Sequence, residues 1–324
     1  MLTLRFDMRA PASGAPIGEL YGAAIEMSAW AESRGGVQVV LSEHHATGDG
    51  HLPSPLILAS AIAGRTERIG ILLAAVILPF RDPVLLAEEM CVLDIISNGR
   101  VGYVMGIGHR AEEYEHMGAD LHRRGKIADE KLALLFRLLK GEPVVHEGRT
   151  IHVTPPPLTP GGPRVLIAGG SVAAAKRAGR FGLGLIAQAN APGMVEAYHA
   201  ACEASGHKPG FVKLPDPAEP TAIFVASDVD AAWAEIGPFL LHDARAAAAF
   251  RQGEDHVASI SRANSVADLR AENGAYRILT AAEATGRLKD GKSLGLLPLC
   301  GGMPPQIAWP YLERAAQAIT AARD

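Results

Sequence analysis

The sequence predicts the α/β fold class and, within it, a single (β/α)8 TIM barrel with insertions. Apolar runs rich in β-branched residues alternate with amphipathic helical segments, which is typical of strands buried in a parallel sheet. The length of 324 residues suits one barrel of this kind. Polar or glycine-rich loops follow several strands, where parallel α/β enzymes place their sites. We therefore expect one domain over residues 1–324, with insertions at about 142–163 and 241–275.

Composition and charge restrict the compartment and the partners. Hydrophobic residues make up 48% of the chain and charged residues 20%, so the chain is globular and not generally disordered. The net charge of −4 gives no electrostatic reason to expect nucleic acid or an anionic membrane as a partner. The cysteines (Cys91, Cys202 and Cys300) are widely spaced and form no CxxC pair, which favours a reducing compartment.

The N-terminal residues and the apolar runs also bear on the compartment. Residues 1–7 mix apolar and polar side chains and lack the apolar core of a signal peptide. The longest apolar run, near residues 69–80, is shorter than the roughly 20 residues of a membrane-spanning helix. We expect a soluble, cytoplasmic protein with no membrane partner.

Strands and helices alternate through the first half of the sequence. Residues 2–8 alternate strictly between apolar and polar side chains, which predicts a first strand. Further strands are expected at residues 37–41, 69–78 and 101–105. Capping residues, stop residues and helical spacing predict helices at about 17–34, after Ser54-Pro55, from Asp82-Pro83 to Asn98-Gly99, at 110–117 and at 125–140.

The alternation is interrupted once and then resumes. Residues 144–151 predict a hairpin that turns at Glu147-Gly148, and a proline-rich connector follows to Pro163. Strands are then expected at 164–168, 183–188, 221–226, 276–280 and 293–299, with helices between them and a terminal helix from Pro304. Residues 241–274, with Gln252, Glu254, His256 and Arg262, predict either helices over the barrel mouth or a partly mobile lid.

A set of short motifs resembles the bacterial luciferase-like flavin oxidoreductases in order and in spacing. The motifs are Ser42-Glu43-His44-His45 with Gly50, Ala74-Ala75, Asp82-Pro83, residues 94–101, residues 106–110 with Glu113, Tyr114 and Gly118, and Gly169-Gly170-Ser171. The resemblance covers most of the chain and is weakest over residues 241–274. It implies an α/β barrel with insertions, a homodimer, and a reduced flavin or deazaflavin at the carboxyl ends of the strands. Light-emitting members carry a Cys-Arg pair where this chain has Gly106-Ile107, which argues against light emission.

The histidine pair after the second predicted strand supplies the candidate catalytic residue. An imidazole at a strand end hydrogen-bonds a flavin or substrate oxygen and exchanges a proton near neutral pH. We assign this role to His44, which matches the recurrent histidine of the family; two solvated loop histidines are the alternative. Asp7, His45 and His109 are the candidate substrate contacts. No metal is expected, because adjacent side chains on a strand diverge and no histidine pair lies one helical turn apart.

Several small residues are candidates for holding the cofactor. Gly169-Gly170-Ser171 follows a buried strand and opens a helix, whose free N–H groups favour a phosphate; Gly301-Gly302 is the rival turn. Gly106 and Gly108 allow either a tight turn or close approach of the backbone to a ring or phosphate. In the family, the strand that matches Ala74-Ala75 carries a bulge, often with a non-proline cis bond, against which the flavin ring packs. We add Ala168 and Gln188, at the ends of neighbouring strands.

The resemblance implies a monooxygenase that uses reduced FMN and molecular oxygen on a small organic substrate, with a separate flavin reductase as partner. A dehydrogenase or reductase that uses the deazaflavin F420 for hydride transfer is the alternative. A non-catalytic flavin-binding protein and a metal-dependent barrel hydrolase are further options; the hydrolase calls for His-x-His where the chain has Asp7-Met8-Arg9. A Rossmann-type NAD(P)H site is not expected, since its glycine-rich fingerprint is missing.

Overall fold

The computed structural model describes residues 1–250 and 260–323. The strands are β1 (Leu2–Phe6), β2 (Gly36–Leu41), β3 (Gly70–Ile77), β4 (Val101–Gly106), β5 (Val144–His146), β6 (Arg149–Ile151), β7 (Val165–Ala168), β8 (Gly184–Ile186), β9 (Val212–Lys213), β10 (Ala222–Ala226), β11 (Tyr276–Thr280) and β12 (Leu294–Leu296). The helices are α1 (Ile17–Ser33), α2 (Pro55–Arg65), α3 (Pro83–Ser97), α4 (Ala111–His116), α5 (Arg124–Leu138), α6 (Val172–Arg180), α7 (Met194–Ala204), α8 (Val229–Ala249), α9 (Val266–Glu272), α10 (Ala281–Lys289) and α11 (Pro305–Arg323).

The chain divides into two compact units. The first unit comprises Met1–Ser42, Thr47–Pro53 and Pro215–Asp324, and the second comprises Glu43–Ala46 and Ser54–Leu214. Glu43, His44 and His45 therefore belong to the second unit, although β2, which they follow, belongs to the first. The prediction of a single domain over residues 1–324 stays a prediction.

The first unit contains five parallel strands in the order β11-β10-β12-β1-β2. The alternation predicted for β1 is present, since Leu2, Leu4 and Phe6 are buried while Thr3 and Arg5 are partly exposed. These apolar side chains stabilise the sheet by removing hydrocarbon surface from water.

The second unit also contains five parallel strands, in the order β3-β4-β7-β8-β9. Because the strands are parallel, the residues that follow β3, β4, β7 and β8 lie along one edge of this sheet. The antiparallel hairpin β5–β6 turns at Glu147 and Gly148, both with positive φ, as the sequence predicts. The two-residue strand β9 lies in a connector where no strand was predicted.

Local sequence explains several helix ends. The Asp82 carboxylate accepts the backbone N–H groups of Val84 and Leu85, and α3 ends at Asn98 in the left-handed conformation. The predicted start of α2 is also confirmed, but the Ser54 side chain makes no capping hydrogen bond there, so Pro55 is the local start signal.

Residues 241–274, for which either helices or a lid were predicted, contain the end of α8, which continues to Ala249, and all of α9. Gln252, Glu254 and His256 lie outside the described residues, and Arg262 lies in an irregular segment before α9. In the part of the chain that is described, no helix is long and apolar enough to cross a membrane.

Candidate functional site

The third strand carries the bulge that the resemblance implies. The register between β3 and β4 shifts between Ala74 and Val76, and the Ala74-Ala75 peptide bond is cis. A Cβ atom at Gly106 would lie 3.0 Å from the Ala75 Cβ and 3.7 Å from the Ala168 Cβ. The ends of β3, β4 and β7 thus meet here, and the close approach to Ala75 explains the glycine at position 106.

The turn after β4 needs its second glycine for the backbone conformation. Gly108 has φ +68°, and a Cβ there would lie 3.0 Å from an Ile77 methyl. The Tyr114 hydroxyl donates to the carbonyl oxygen of Ile107, and the Tyr114 ring packs edge-on against Phe80 at 4.7 Å. These contacts support the tight-turn interpretation of this motif.

His44 is held by a buried carboxylate of α4. Its Nδ1 lies 2.8 Å from the Glu113 Oε1, which also accepts the His45 backbone N–H at 2.9 Å and the Arg110 Nη1 at 3.2 Å. Burial opposes ionisation of Glu113, but the hydrogen bond and charge of His44, with the His45 N–H and Arg110, lower its pKa to about 2. Glu113 is therefore a carboxylate at neutral pH.

His45 is held by a different buried carboxylate. Its Nε2 lies 2.8 Å from the Glu43 Oε1, which also accepts the Arg81 Nη2 at 2.9 Å. The second Glu43 oxygen accepts the Ile77 backbone N–H at 3.3 Å. The His45 side chain is 9% exposed, whereas that of His44 is 22% exposed. The two adjacent imidazoles diverge, as the sequence predicts.

His109 joins His44 at this edge. The two rings meet edge to face, with centroids 6.2 Å apart and an interplanar angle of 89°. His109 follows β4, and its side chain is partly exposed. The structure thus places a predicted substrate contact beside the predicted catalytic histidine.

The N-terminus of α6 supplies the candidate phosphate site. Ser171 is the N-cap, and its Oγ accepts the Ala174 backbone N–H at 3.3 Å. A Cβ at Gly170 would lie 2.6 Å from the Ala189 Cβ, and one at Gly169 would lie 2.5 Å from the Ala174 Cβ. Packing against the chain itself therefore explains both glycines, and Ser171 is the better probe of a phosphate role. Gln188, also assigned to the cofactor, is exposed after β8.

The rival turn at Gly301-Gly302 is filled by protein. Both glycines are buried, and a Cβ at Gly301 would overlap the carbonyl oxygen of Phe239. A Cβ at Gly302 would lie 2.7 Å from the Pro11 Cδ. Packing against the chain therefore explains these two glycines, as it does Gly169 and Gly170.

Three further polar residues were not among the predicted site residues. Glu43 and Glu113 each hold one histidine of the pair, and Glu113 entered the sequence interpretation only as part of a family motif. Arg124 begins α5; its Nη1 donates to the carbonyl oxygen of Leu121 at 2.7 Å. The Arg124 Nε is buried without a hydrogen-bond partner within residues 1–250 and 260–323. No motif in the sequence predicted a role for Arg124.

Asp7 lies in a buried ionic cluster of the first unit. Its Oδ1 accepts the Arg9 backbone N–H at 3.2 Å, and the Arg9 guanidinium lies 2.6 Å from Asp49 and 3.0 Å from Asp243. The Asp243 carboxylate also accepts the Tyr276 hydroxyl at 2.6 Å. Removing the cation would leave buried carboxylates uncompensated, so the cluster depends on Arg9. The role of Asp7 as a substrate contact stays a prediction.

Comparisons with known proteins place the chain in a family. The parallel strands and the polar groups along their carboxyl edge define an α/β class with a strand-end site. The profile of the luciferase-like monooxygenases matches residues 4–295. The chain belongs to this family. Among the described residues, no group of three or more His, Cys, Asp or Glu side chains is arranged to hold a metal ion.

Individual relatives resemble parts of the chain. The oxygenase component of the flavin-dependent trigonelline monooxygenase of Acinetobacter baylyi is 33% identical over 127 residues, which cover 38% of this chain and 35% of that protein. Limonene 1,2-monooxygenase of Rhodococcus erythropolis is 31% identical over 156 residues, 46% of this chain and 40% of that protein. The matches thus span less than half of the length of these curated relatives.

A solved structure resembles the whole chain. Monooxygenase RslO1 from Streptomyces bottropensis has a TM-score of 0.78 at 21% identity, over 100% of both chains. At this identity the likeness shows the fold alone, and with the family match it confirms the predicted fold class.

Proposed function

We propose that the protein is a monooxygenase that uses reduced FMN and molecular oxygen on a small organic substrate. The observation that carries the proposal is the His44–Glu113 pair, on the same carboxyl edge as the Ala74-Ala75 bulge, in a chain of the luciferase-like monooxygenase family. In this proposal a separate flavin reductase supplies the reduced cofactor. The relative that acts on trigonelline is named as the oxygenase component of its monooxygenase.

The residues along the edge fit a flavin with a phosphate. The methyl groups of Ala74 and Ala75 provide an apolar surface for the ring, and the N-terminus of α6 favours an anion. The Arg124 guanidinium, with its buried Nε, adds a cation to this unit. Reduced flavin, when bound, supplies the electrons that activate oxygen. The proposed cofactor contacts are Ala74, Ala75, Gly106, Gly108, Arg124, Ala168, Gly169, Gly170, Ser171 and Gln188.

Within this proposal, His44 exchanges a proton or a hydrogen bond with substrate or cofactor. His109 lies beside it and contacts the substrate. His45 and Asp7 are also proposed as substrate contacts, although the Glu43 bond directs the His45 ring inward. The cytoplasm remains the proposed compartment, which suits the three buried cysteine thiols.

The proposal is tested by anaerobic titration with reduced FMN and with reduced F420, followed by calorimetry. We expect saturable binding of reduced FMN and at least tenfold weaker binding of F420. Tighter binding of F420 would instead support the hydride-transfer alternative, and no binding of either would contradict any flavin-dependent role.

We also propose a homodimer through α2 and α3. Leu85, Val92 and Ile96 recur on one face of α3 and are exposed. Ile57 of α2 is 74% exposed and lines, with Val92, a groove of ≈ 300 Å³ between the two helices. Contiguous exposed apolar side chains of this kind mark interaction surfaces.

A further inference from the structure

Two buried glutamates each bind one of the two adjacent histidines. Glu113 receives the Nδ1 side of His44, and Glu43 receives the Nε2 side of His45. A neutral imidazole carries one proton, and the hydrogen bond made by one ring nitrogen decides which nitrogen holds it. The two rings therefore present opposite nitrogens to their glutamate partners.

The Glu113 carboxylate acts only as an acceptor in this arrangement. Its Oε1 already accepts two other N–H groups, from the His45 backbone and from Arg110. Burial opposes ionisation of the group, but its hydrogen bonds with His44 and the His45 N–H and the charge of Arg110 outweigh burial and lower its pKa to about 2. An ionised carboxylate has no proton to give, so the proton between the two groups belongs to the His44 Nδ1.

We propose that Glu113 is a positioning residue that fixes His44 in the Nδ1–H tautomer, in which Nε2 carries no proton and is able to accept one. The functional part of this inference rests on the proposed function. Glu113 touches no reacting atom itself; it acts through His44, in the way that a buried carboxylate orients a catalytic imidazole. Arg110 stabilises the carboxylate by donating to it, and the same Arg110 Nη1 donates to the His45 carbonyl oxygen at 2.9 Å.

The arrangement predicts what each glutamate variant does. The Glu113 Oε2 is buried without a hydrogen-bond partner in the described part of the chain. In Glu113→Gln the amide nitrogen can take the position of Oε2 and the amide oxygen that of Oε1. The hydrogen bonds to Oε1 are then kept, and only the negative charge is removed. Glu113→Leu removes the acceptor as well. Glu112→Gln, on the neighbouring and 69% exposed residue, is the matched control.

The direct test is the ¹⁵N spectrum of histidine-labelled protein, which distinguishes protonated from unprotonated ring nitrogens. The His44 signals are assigned by their loss in His44→Asn, and the spectra are recorded at a pH above the observed titration of those signals. We expect a proton on Nδ1 and none on Nε2 in the wild type and in Glu112→Gln, and a mixture of tautomers in Glu113→Leu. A wild-type proton on Nε2, or unchanged His44 signals in Glu113→Leu, would overturn the proposal. The wild-type result decides even if Glu113→Leu fails to fold.

Kinetics supply a second readout. We expect Glu113→Leu, which lacks the acceptor, to lower kcat about tenfold or more while FMN affinity stays within about twofold, because the lost effect concerns the reacting imidazole. Glu113→Gln keeps the acceptor and should retain more of the turnover than Glu113→Leu does. Turnover of Glu113→Leu equal to that of Glu112→Gln would contradict the positioning role. The two claims fail separately: an Nδ1–H tautomer without monooxygenase activity refutes the proposed function alone, whereas activity with an Nε2–H tautomer refutes the positioning role alone.

Discussion

At the scale of single residues, the charge of Glu113 links the site to acid stability. Its folded-state pKa of about 2 lies below the ordinary value of 4.5. A carboxyl group with a lowered folded-state pKa stabilises the folded protein above the unfolded-state pKa, and the contribution disappears as the pH falls through the folded-state value. The shift corresponds to about 3 kcal/mol that is present at neutral pH and lost between roughly pH 4.5 and 2.

We predict that Glu113→Gln reduces the loss of unfolding free energy on acidification. The neutral amide has no proton to take up in this range, so the variant loses less stability than the wild type between about pH 6 and pH 3. Urea unfolding at a series of pH values measures the difference. Glu112→Gln should keep the wild-type slope because its side chain is exposed; a Glu113→Gln slope equal to that of the wild type would show that Glu113 has no lowered pKa.

The same residue shows where sequence-based prediction stops. Elements governed by local chemistry were predicted well, such as α3 with Asp82 at its start and the hairpin with Glu147 at its turn. The contact between His44 and Glu113 spans 69 positions in the chain, and no local pattern encodes it. The contact of Gly301 with the Phe239 backbone likewise joins residues that are far apart in the chain, so no local pattern predicts it. The family resemblance, not periodicity, indicated the Ala74-Ala75 bulge.

At the scale of elements, the loop before β4 shows how a recognised motif acts physically. All the guanidinium nitrogens of Arg100 donate hydrogen bonds to neighbouring oxygens, at 2.7–2.9 Å. The acceptors are the carbonyl oxygens of Ala63, Thr66, Ile69 and Ser97 and the Thr66 hydroxyl. Cations at helix C-termini satisfy carbonyl groups that lack helical partners. Arg100 thereby fixes α2 and α3 relative to the strands whose ends carry the site.

The phosphate prediction concerns α6, whose N-cap is Ser171. We expect Ser171→Ala to weaken binding of reduced FMN by about 1–3 kcal/mol, the range for a hydrogen bond to a charged group. Riboflavin has the same ring without the phosphate, and its affinity should change little. Titration of both ligands against the same variants measures the difference.

The control separates the phosphate contact from the loss of a helix cap. Ser265 caps α9 by accepting the Asp268 backbone N–H at 3.1 Å, as Ser171 caps α6. Ser265→Ala should therefore lower the free energy of unfolding about as much as Ser171→Ala does, because each variant loses one helix cap. It should leave FMN affinity unchanged. Equal losses for FMN and riboflavin in Ser171→Ala would remove Ser171 from the phosphate site.

At the scale of the whole molecule, the apolar face of α2 and α3 predicts association of two copies. We expect the wild type to sediment as a dimer and Ile57→Lys to sediment as a monomer, because a charge would be buried in an apolar interface. Val145→Lys changes an exposed valine on the β5–β6 hairpin and should leave the dimer intact. A monomeric wild type, or a dimer that persists in Ile57→Lys, would refute the proposed interface.

The central claim is that His44 serves an oxygen-inserting reaction of reduced FMN. Its most direct test is mass spectrometry of products formed under ¹⁸O₂ from a panel of small organic substrates, with a flavin reductase supplying reduced FMN. We predict a product carrying one labelled oxygen atom, and a rate about 10²–10⁴-fold lower in a folded His44→Asn variant saturated with cofactor. A product without the label, or undiminished labelling in His44→Asn, would contradict the account.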